Sequence, residues 1–510
     1  MRKPIKQIVA VAFSTFGSRL LGLVRDVLTF ATLGTGLYGS VFVFAFRLPN
    51  LFRRLLGEGA LSSALIPVFT DTLNGNKGKK ELFRILNLVL SRLIPLLIII
   101  IITGCCVLFI IEQSSTLQRW KTGSQYGRLL FPYILFICIA ATLTSALNVL
   151  QKFIITSLSP IWLNLCMIFP LFYGYLQDDL SLDRQLFYLC LGVLMGGLIQ
   201  LMAPMLELLA QGWRPKISFR KDRELHKIYH LFLPGLSGAA ILQVNALVSG
   251  IFAHSINESS SSIIYIANRV VELPLGIFTI AISTVLFPML AKYASNNSQK
   301  DFKETFKQGT LLILIMNCPA LIGLILLNHE IIQLLFEWKE MTSEDTLVIA
   351  PILSIYALSL PFYSMTSFIT KGFHSMKNMK TPMNAAFWAL LLNIAFSFIF
   401  MHFWGIQGLA IAALFTYSIQ TLYLFTKFYE QISSTWDSHF VKDLFKIIIA
   451  CGALGLFCYF GSRFQFPILF SERIDHAIHT LGLIMLSGAL YFIILLALNL
   501  NPLKLIKKNA

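Results

Sequence analysis

Apolar residues fall in long runs along the whole chain, separated by short polar stretches. Runs of roughly 17–25 residues are what an α-helix needs to cross the hydrocarbon of a bilayer. The pattern predicts fourteen such helices, near residues 8–33, 38–70, 86–111, 129–151, 160–176, 186–210, 231–254, 262–292, 309–336, 347–370, 382–404, 406–428, 443–461 and 477–499. We therefore expect an all-α polytopic membrane protein with 14 transmembrane helices.

Composition and charge fit this picture. The chain is 56% hydrophobic and 13% charged, with a net charge of +16. In a soluble protein that charge would indicate nucleic acid, but the basic residues concentrate in alternate loops, as the positive-inside rule predicts. We expect both termini in the cytoplasm and no nucleic-acid partner. The basic start runs straight into the first apolar segment, so no cleavable signal peptide is expected.

A weak internal repeat divides the predicted helices. Residues 60–67 match 281–288 at an offset of 221, and Pro160 matches Pro382 at an offset of 222. Transporters are commonly built from two related bundles, so we expect two pseudo-repeated six-helix lobes and two extra C-terminal helices. The predicted N-lobe, basic cytoplasmic linker, C-lobe and final helix pair with its tail are residues 1–212, 213–230, 231–430 and 431–510.

Helices one, two and eight carry charges inside apolar runs. The arginines are Arg19, Arg25, Arg47, Arg53, Arg54 and Arg269, and the carboxylates are Asp26, Glu58 and Glu272. A charge at bilayer depth costs about 2.5–3.5 kcal/mol on insertion scales, so such residues usually face a watery, functional cavity. Six positive charges against three negative ones predict an anionic ligand, because an unpaired buried charge is expensive. The planar guanidinium favours a phosphate or diphosphate over a carboxylate.

A plainer interpretation is that these charges form internal salt bridges, with Arg19 paired to Asp26 and Arg54 to Glu58. Periodicity alone leaves open whether Arg53 or Arg54 points inward. Residues that weaken the helical ladder flank the charged positions and mark candidate hinges. They are Pro49, Gly57 and Gly59 in helix two, and Pro274 and Gly276 in helix eight.

Metal and cofactor chemistry is not predicted. All eight cysteines lie in apolar runs without paired C-x-x-C spacing, as expected for small core residues. His476 and His479, beside Asp475, have the i, i+3 spacing that could place two imidazoles on one helix face. A solvated turn at the membrane boundary is the favoured interpretation of these histidines.

Five segments resemble one known family, the MurJ (MviN) lipid II flippases of the multidrug/oligosaccharidyl-lipid/polysaccharide exporter (MOP) superfamily. They are residues 16–26, 46–60, 66–69, 268–276 and 372–382. The resemblance spans essentially the whole chain. It implies a V-shaped, MATE-like protein of the bacterial cytoplasmic membrane whose cationic cavity binds the head of lipid II, the undecaprenyl-diphosphate-linked peptidoglycan precursor. Alternating access would carry lipid II to the outer leaflet, with the polyprenyl tail in a groove of the last two helices.

The resemblance also assigns roles to residues. It places substrate-binding positions at Arg19, Arg25, Arg53, Arg269, Ser18 and Asn50, and cavity or gating carboxylates at Asp26, Glu58 and Glu272. Ser40 and Asn268 stand where relatives often have Asp, which makes the expected cavity more positive. Sodium coupling is not favoured, because the positions matching a family sodium site are Ser249, Asn393 and Ser397, which carry no carboxylate. Membrane potential and protons remain candidate drivers.

Two alternatives stay open. Another MOP-type exporter, for a polysaccharide-lipid or a drug, would share the fold, although a cationic drug would favour net carboxylate in the cavity. A membrane glycosyltransferase or ligase would also bind a polyprenyl diphosphate, but it needs a positioned base or a metal-binding carboxylate cluster. We expect no enzyme activity. The expected partners are lipid II and membrane lipids, with the cell-wall synthesis machinery as an open candidate.

Overall fold

A computed structural model describes residues 2–55, 60–75, 78–432, 438–464 and 472–502. Within those ranges the regular structure is helical and contains no β-strand. Helices are favoured here because a membrane offers no water to backbone N–H and C=O groups, and a helix satisfies them within one segment. The prediction of an all-α polytopic membrane protein is confirmed.

The chain forms two compact units. Unit 1 contains residues 1–262 and 338–341, and unit 2 contains residues 263–337 and 342–510. The helices that lie in unit 1 are α1 Arg2–Leu33, α2 Leu37–Phe52, α3 Ala60–Asn74, α4 Gly78–Ser114, α5 Gln118–Leu130, α6 Tyr133–Val149, α7 Phe153–Leu176, α8 Leu182–Ala210 and α9 Arg223–Ile256. α9 packs against α3. The predicted lobes would instead group this segment with the later helices, so the lobe boundaries remain a prediction.

Unit 2 holds most of α10 and all later helices. They are α10 Ser260–Pro274, α11 Ile280–Ser295, α12 Gln299–Leu326, α13 Asn328–Phe336, α14 Ser343–Ser375, α15 Lys380–Ile432, α16 Ser438–Ser462 and α17 Glu472–Ala497. Local sequence explains the start of α14. The hydroxyl of Thr342 accepts from the N–H of Asp345 and the Asp345 carboxylate accepts from the N–H of Thr342, which forms a capping box at the start of α14.

The predicted number of spans is not confirmed. Ten of the described helical segments are long and apolar enough to cross a membrane, or eleven if the bent pair Arg223–Leu236 and Ala240–Ile256 is one span. One predicted boundary agrees closely: α15 breaks at Gly405, where φ is 55° and ψ is −128°, between the segments predicted at 382–404 and 406–428. A positive φ of this kind favours glycine, which has no Cβ.

Among the described residues, two π-helical turns follow the charged helices. One covers residues 53–55 directly after α2, and the other covers Leu275–Thr279 directly after α10. They begin 222 residues apart, the offset found in the sequence repeat. π-turns often accompany functional sites because they locally disrupt the regular hydrogen-bond ladder. Pro49 lies inside α2, Pro274 ends α10 and Gly276 lies in the second π-turn. The predicted hinges Gly57 and Gly59 lie outside the described residues.

Small residues allow close helix packing in unit 1. A Cβ added to Gly192 of α8 would lie 2.4 Å from the carbonyl oxygen of Cys166 and 2.9 Å from Cγ of Pro170, both on α7. The first of these atoms is backbone, which a rotamer change cannot move. Membrane helices commonly approach one another at small residues in this way, because lipid supplies little hydrophobic force between them.

Gly192→Ala is therefore expected to push α7 and α8 apart. We expect a destabilisation of about 1–3 kcal/mol, the usual cost of overpacking, measured as a lower thermal unfolding midpoint of the purified protein in detergent. Gly452→Ala on α16 is the control, because no atom lies within 4 Å of its added Cβ. Equal midpoints for the two variants would show that the α7–α8 contact tolerates a methyl group.

Candidate anion-binding site

Arg25 lies at the centre of a polar network inside unit 1. Its Nε and Nη2 donate to Oδ1 of Asp26, at 3.0 and 2.6 Å, and its Nη1 donates to Oδ1 of Asn164 on α7, at 3.1 Å. The amide nitrogen of Asn164 donates in turn to the backbone oxygen of Ser18, at 3.1 Å. The Arg25 and Asp26 side chains are only 13% and 3% exposed. The network fixes the direction of a buried guanidinium that still carries charge.

Other predicted positions on α1 differ in exposure. Arg19 is exposed, and so are the neighbouring Phe16 and Leu20. Ser18 is half-buried and contributes its backbone oxygen to the Asn164 contact. α1 therefore presents one arginine held by neighbours in unit 1 and a second arginine on an exposed part of the helix.

On α2 and the following π-turn, Arg53 and Asn50 contact each other. Nε of Arg53 donates to Oδ1 of Asn50, at 2.7 Å. Arg53 is half-buried whereas Arg54 is exposed, so Arg53 is the more enclosed of the two. Arg47, one α-helical turn before Asn50, packs over Gly250 of α9, where an added Cβ would lie 1.8 Å from Nη1 of Arg47.

In unit 2, Arg269 and Glu272 lie one turn apart on α10. Nη1 of Arg269 donates to Oε2 of Glu272, at 3.3 Å, and the two side chains are 26% and 58% exposed. Asn268 donates its amide to the backbone oxygen of Ile264, at 3.0 Å. The exposed Glu272 is a weak partner in energetic terms, since solvent-exposed ion pairs contribute little.

The pairs Arg19–Asp26 and Arg54–Glu58 of the salt-bridge interpretation remain predictions. Asp26 pairs with its sequence neighbour Arg25, a partner that helical periodicity did not predict for it. Glu58, the third predicted carboxylate, lies outside the described residues. Within the residues that the structure describes, no group of three His, Cys, Asp or Glu side chains could hold a metal ion. Nε2 of His479 is 3.1 Å from the backbone oxygen of Gly461.

Asn164 is the site residue that sequence reasoning missed. It is 5% exposed and joins α1 to α7 through both ends of its carboxamide. The available signal was a lone carboxamide within the apolar run 160–176, since polar groups at membrane depth usually have a partner. The positions matched to a sodium site remain a prediction: Asn393 and Ser397 are buried on α15, and Ser249 is half-buried on α9.

Comparison with known proteins identifies the family. The family model described as lipid II flippase MurJ matches residues 30–474. The chain belongs to the MurJ lipid II flippase family. A probable MurJ from Bdellovibrio bacteriovorus is 32% identical over 81% of this chain and 79% of its own length, and one from Vibrio cholerae is 32% identical over 81% and 80%.

Solved structures agree with this assignment. A MurJ structure in an inward closed conformation matches 96% of this chain and 100% of its own, with a TM-score of 0.78 and 25% identity. A MATE-family transporter of the MOP superfamily matches 82% of this chain and 95% of its own, with a TM-score of 0.66. At 13% identity the MATE match supports a shared fold and no more. The resemblance to the MurJ family is therefore confirmed.

A double-mutant cycle tests the Arg25 network. Arg25→Ala and Asn164→Leu should each destabilise the protein, and their combined effect should fall short of the sum by about 1 kcal/mol or more, because both remove the same charge-assisted hydrogen bond. The measurement is the free energy of unfolding in detergent. Thr156→Ala, near the start of α7, provides the control pair with Arg25→Ala and should be additive. Additivity of Arg25→Ala with Asn164→Leu would contradict the network.

Proposed function

We propose that this MurJ family member translocates lipid II from the cytoplasmic to the outer leaflet of the bacterial inner membrane. The observation that carries the proposal is the match of a solved MurJ structure to 96% of this chain. The curated relatives bear the same description at 32% identity. A lipid with a large, charged head needs a polar route through hydrocarbon, and the charged faces of α1, α2 and α10 supply suitable groups.

We assign diphosphate binding to Arg19, Arg25, Arg53 and Arg269, with Ser18 and Asn50 as polar helpers. The Arg25 network supports this assignment, because a guanidinium fixed in direction loses little conformational freedom when it binds. Arg–phosphate hydrogen bonds are charge-assisted and often bidentate, and they strengthen where water is scarce. The diphosphate would add negative charge to a set of charged residues that has six arginines and three carboxylates in the sequence.

Movement is assigned to the elements beside these arginines. In alternating access the site opens to one side of the membrane and then to the other. The π-turn Leu275–Thr279 begins directly after Pro274 and a few residues after Arg269 and Glu272. It is therefore a candidate bend. Asp26 and Glu272 would hold their arginines while no substrate is bound, and an incoming diphosphate would compete for the same N–H donors.

The polyprenyl tail is assigned to a groove on unit 2. α16 and α17 pack together, and a groove of about 530 Å³ opens between them. It is lined by Ala453, Leu456, Phe457, Phe460, Gly461, Phe464 and Leu490. An apolar groove of this kind suits an isoprenoid chain. Isoprenoid carbon atoms that leave the lipid acyl chains for the groove still contact hydrocarbon side chains. α16 and α17 correspond to the predicted extra helix pair.

A competing function is less well supported. An exporter of cationic drugs would need net negative charge near its substrate, whereas the described charged helices contribute more arginines than carboxylates. The family match likewise favours a lipid-linked anionic substrate. We therefore retain lipid II translocation as the function.

Substitution of the arginines tests the diphosphate assignment. Ala at Arg19, Arg25, Arg53 or Arg269 should abolish growth rescue in cells depleted of their own lipid II flippase, while the protein stays folded in the membrane. The corresponding lysine variants should rescue poorly, because an ammonium group cannot form the two parallel hydrogen bonds that a planar guanidinium makes to phosphate. Arg184→Ala on α8, an exposed arginine outside the resembling segments, is the control and should rescue normally. Full rescue by two or more of the four alanine variants would refute the assignment.

A bulky residue in the groove tests the tail assignment. Ala453→Trp should slow lipid II transport about tenfold, because the indole occupies space that the isoprenoid would use. A tenfold change corresponds to a free-energy difference of about 1.4 kcal/mol. Ile448→Trp, at a position on α16 that is 63% exposed and outside the groove, should transport normally. The readout is initial transport rate in proteoliposomes. Equal rates for both variants would argue against the groove.

A further inference from the structure

The basic segment between α8 and α9 is firmly attached to α4. Nε1 of Trp213 donates to Oδ1 of Asn87, at 2.8 Å, and the Asn87 amide donates to the backbone oxygen of Arg214, at 2.9 Å. The N–H of Ser218 donates to Oγ of Ser91, also at 2.9 Å. We call residues 213–222 the linker loop. It has a defined place on unit 1, although it forms no helix.

Two arginines of α4 complete the attachment. Nη2 of Arg92 donates to the backbone oxygens of Phe219 and Arg220, at 3.0 and 2.7 Å. Arg84 pairs with Asp222, at 2.7 Å. Burial would raise the pKa of the Asp222 carboxyl, but the N–H of Glu224 and the charge of Arg84 lower it below its ordinary value. The linker loop thus runs along α4 from Asn87 towards Arg92 and returns to Arg84.

The position of Arg92 gives the depth of this loop. Residues 93–111 of α4 contain no charged side chain, and Arg92 and Glu112 flank them. At 1.5 Å per residue these nineteen residues span about 28 Å, close to the hydrocarbon thickness of a bilayer. Leu96, Ile99 and Ile102 within this run are 51%, 60% and 58% exposed, as expected for a lipid-facing helix. Arg92, and the part of the loop it holds, therefore lies at a membrane boundary.

The side chains at that boundary are amphipathic. Ile217 is 86% exposed and Phe219 is 62% exposed, which is unusual for apolar residues in a loop that is otherwise well anchored. Arg214, Lys216, Arg220 and Lys221 surround them and are also exposed. Water would leave the two apolar side chains without favourable contacts, whereas a lipid surface offers acyl chains to them and phosphates to the cations.

We propose that the linker loop is a binding site for anionic phospholipids at the membrane boundary. Ile217 and Phe219 insert among the acyl chains beside α4, and Lys216, Arg220 and Lys221 bind lipid phosphates. Positive charge selects anionic over zwitterionic lipids, because each basic residue near such a surface contributes about 1 kcal/mol. The attachment to α4 uses loop backbone atoms and the side chains of Trp213 and Asp222, none of which the proposed lipid contacts require. Lipid composition would therefore act on a fixed part of unit 1. The proposal does not depend on the transported substrate.

Lipid retention by the full-length protein tests the charge requirement. The purified protein is mixed with equal amounts of phosphatidylglycerol and phosphatidylcholine, and the retained lipids are counted by native mass spectrometry. Wild type should retain phosphatidylglycerol preferentially, and Lys216→Gln/Arg220→Gln/Lys221→Gln should reduce that preference by tenfold or more, on the order expected for three charges. These substitutions spare the backbone oxygen of Arg220 that Arg92 binds, so the loop keeps its attachment.

The control removes the same charge elsewhere. Lys300→Gln/Lys377→Gln/Lys380→Gln alters three exposed lysines outside the linker loop and should keep wild-type lipid preference. An equal loss in both triple variants, or no loss in the loop variant, would overturn the proposal.

Insertion is tested separately with Phe219→Cys carrying an environment-sensitive fluorophore in phosphatidylglycerol vesicles, with exposed Cys106 changed to Ala. Quenching by doxyl-labelled lipid and protection from aqueous iodide are expected. Free quenching by iodide would overturn the proposal and favour a soluble protein partner for the loop.

Discussion

The cost of burying the Arg25 guanidinium, whose side chain is only 13% exposed, is the constraint on which the site in unit 1 depends. Arg25 meets that cost through Asp26 on its own helix and Asn164 on α7. The same constraint explains why Asn164 is needed in an apolar helix, and why α1 and α7 are tied together at this level. An arginine supported in this way remains charged and oriented, which are the two properties that recognition of a diphosphate requires.

The rest of the site combines close helix packing with local breaks in the helical ladder. α7, which carries Asn164, packs closely on α8 at Gly192. π-turns follow both α2 and α10, next to Arg53 and after Arg269, where the helical ladder is already irregular. The charged groups thus lie beside local irregularities of the helix, where we place the proposed bends. The linker loop adds a fixed membrane contact at the boundary of the same unit.

Much of this arrangement follows from sequence, and the failures have physical causes. Apolar run length predicted the helical membrane fold and the break at Gly405, because both depend on local composition. Helical periodicity does not predict the pair of Arg25 with Asp26, because adjacent residues do not face each other on a helix and only the flexible arginine side chain makes the contact. Asn164 was missed because its partner lies 139 residues away in the chain. The count of fourteen spans was not confirmed. The segments predicted at 382–404 and 406–428 form the single helical segment α15, and α2, with 16 residues, is shorter than a span requires.

Translocation of lipid II by the purified protein is the most direct test of the central claim. Fluorescent lipid II is reconstituted with the full-length chain in liposomes, and a membrane-impermeant reductant is added outside. We predict that the wild-type protein makes the inner-leaflet lipid II progressively accessible to the reductant, while a fluorescent zwitterionic phospholipid stays protected. Lipid II accessibility that remains at the level of protein-free liposomes, with correctly folded protein present, would contradict the account.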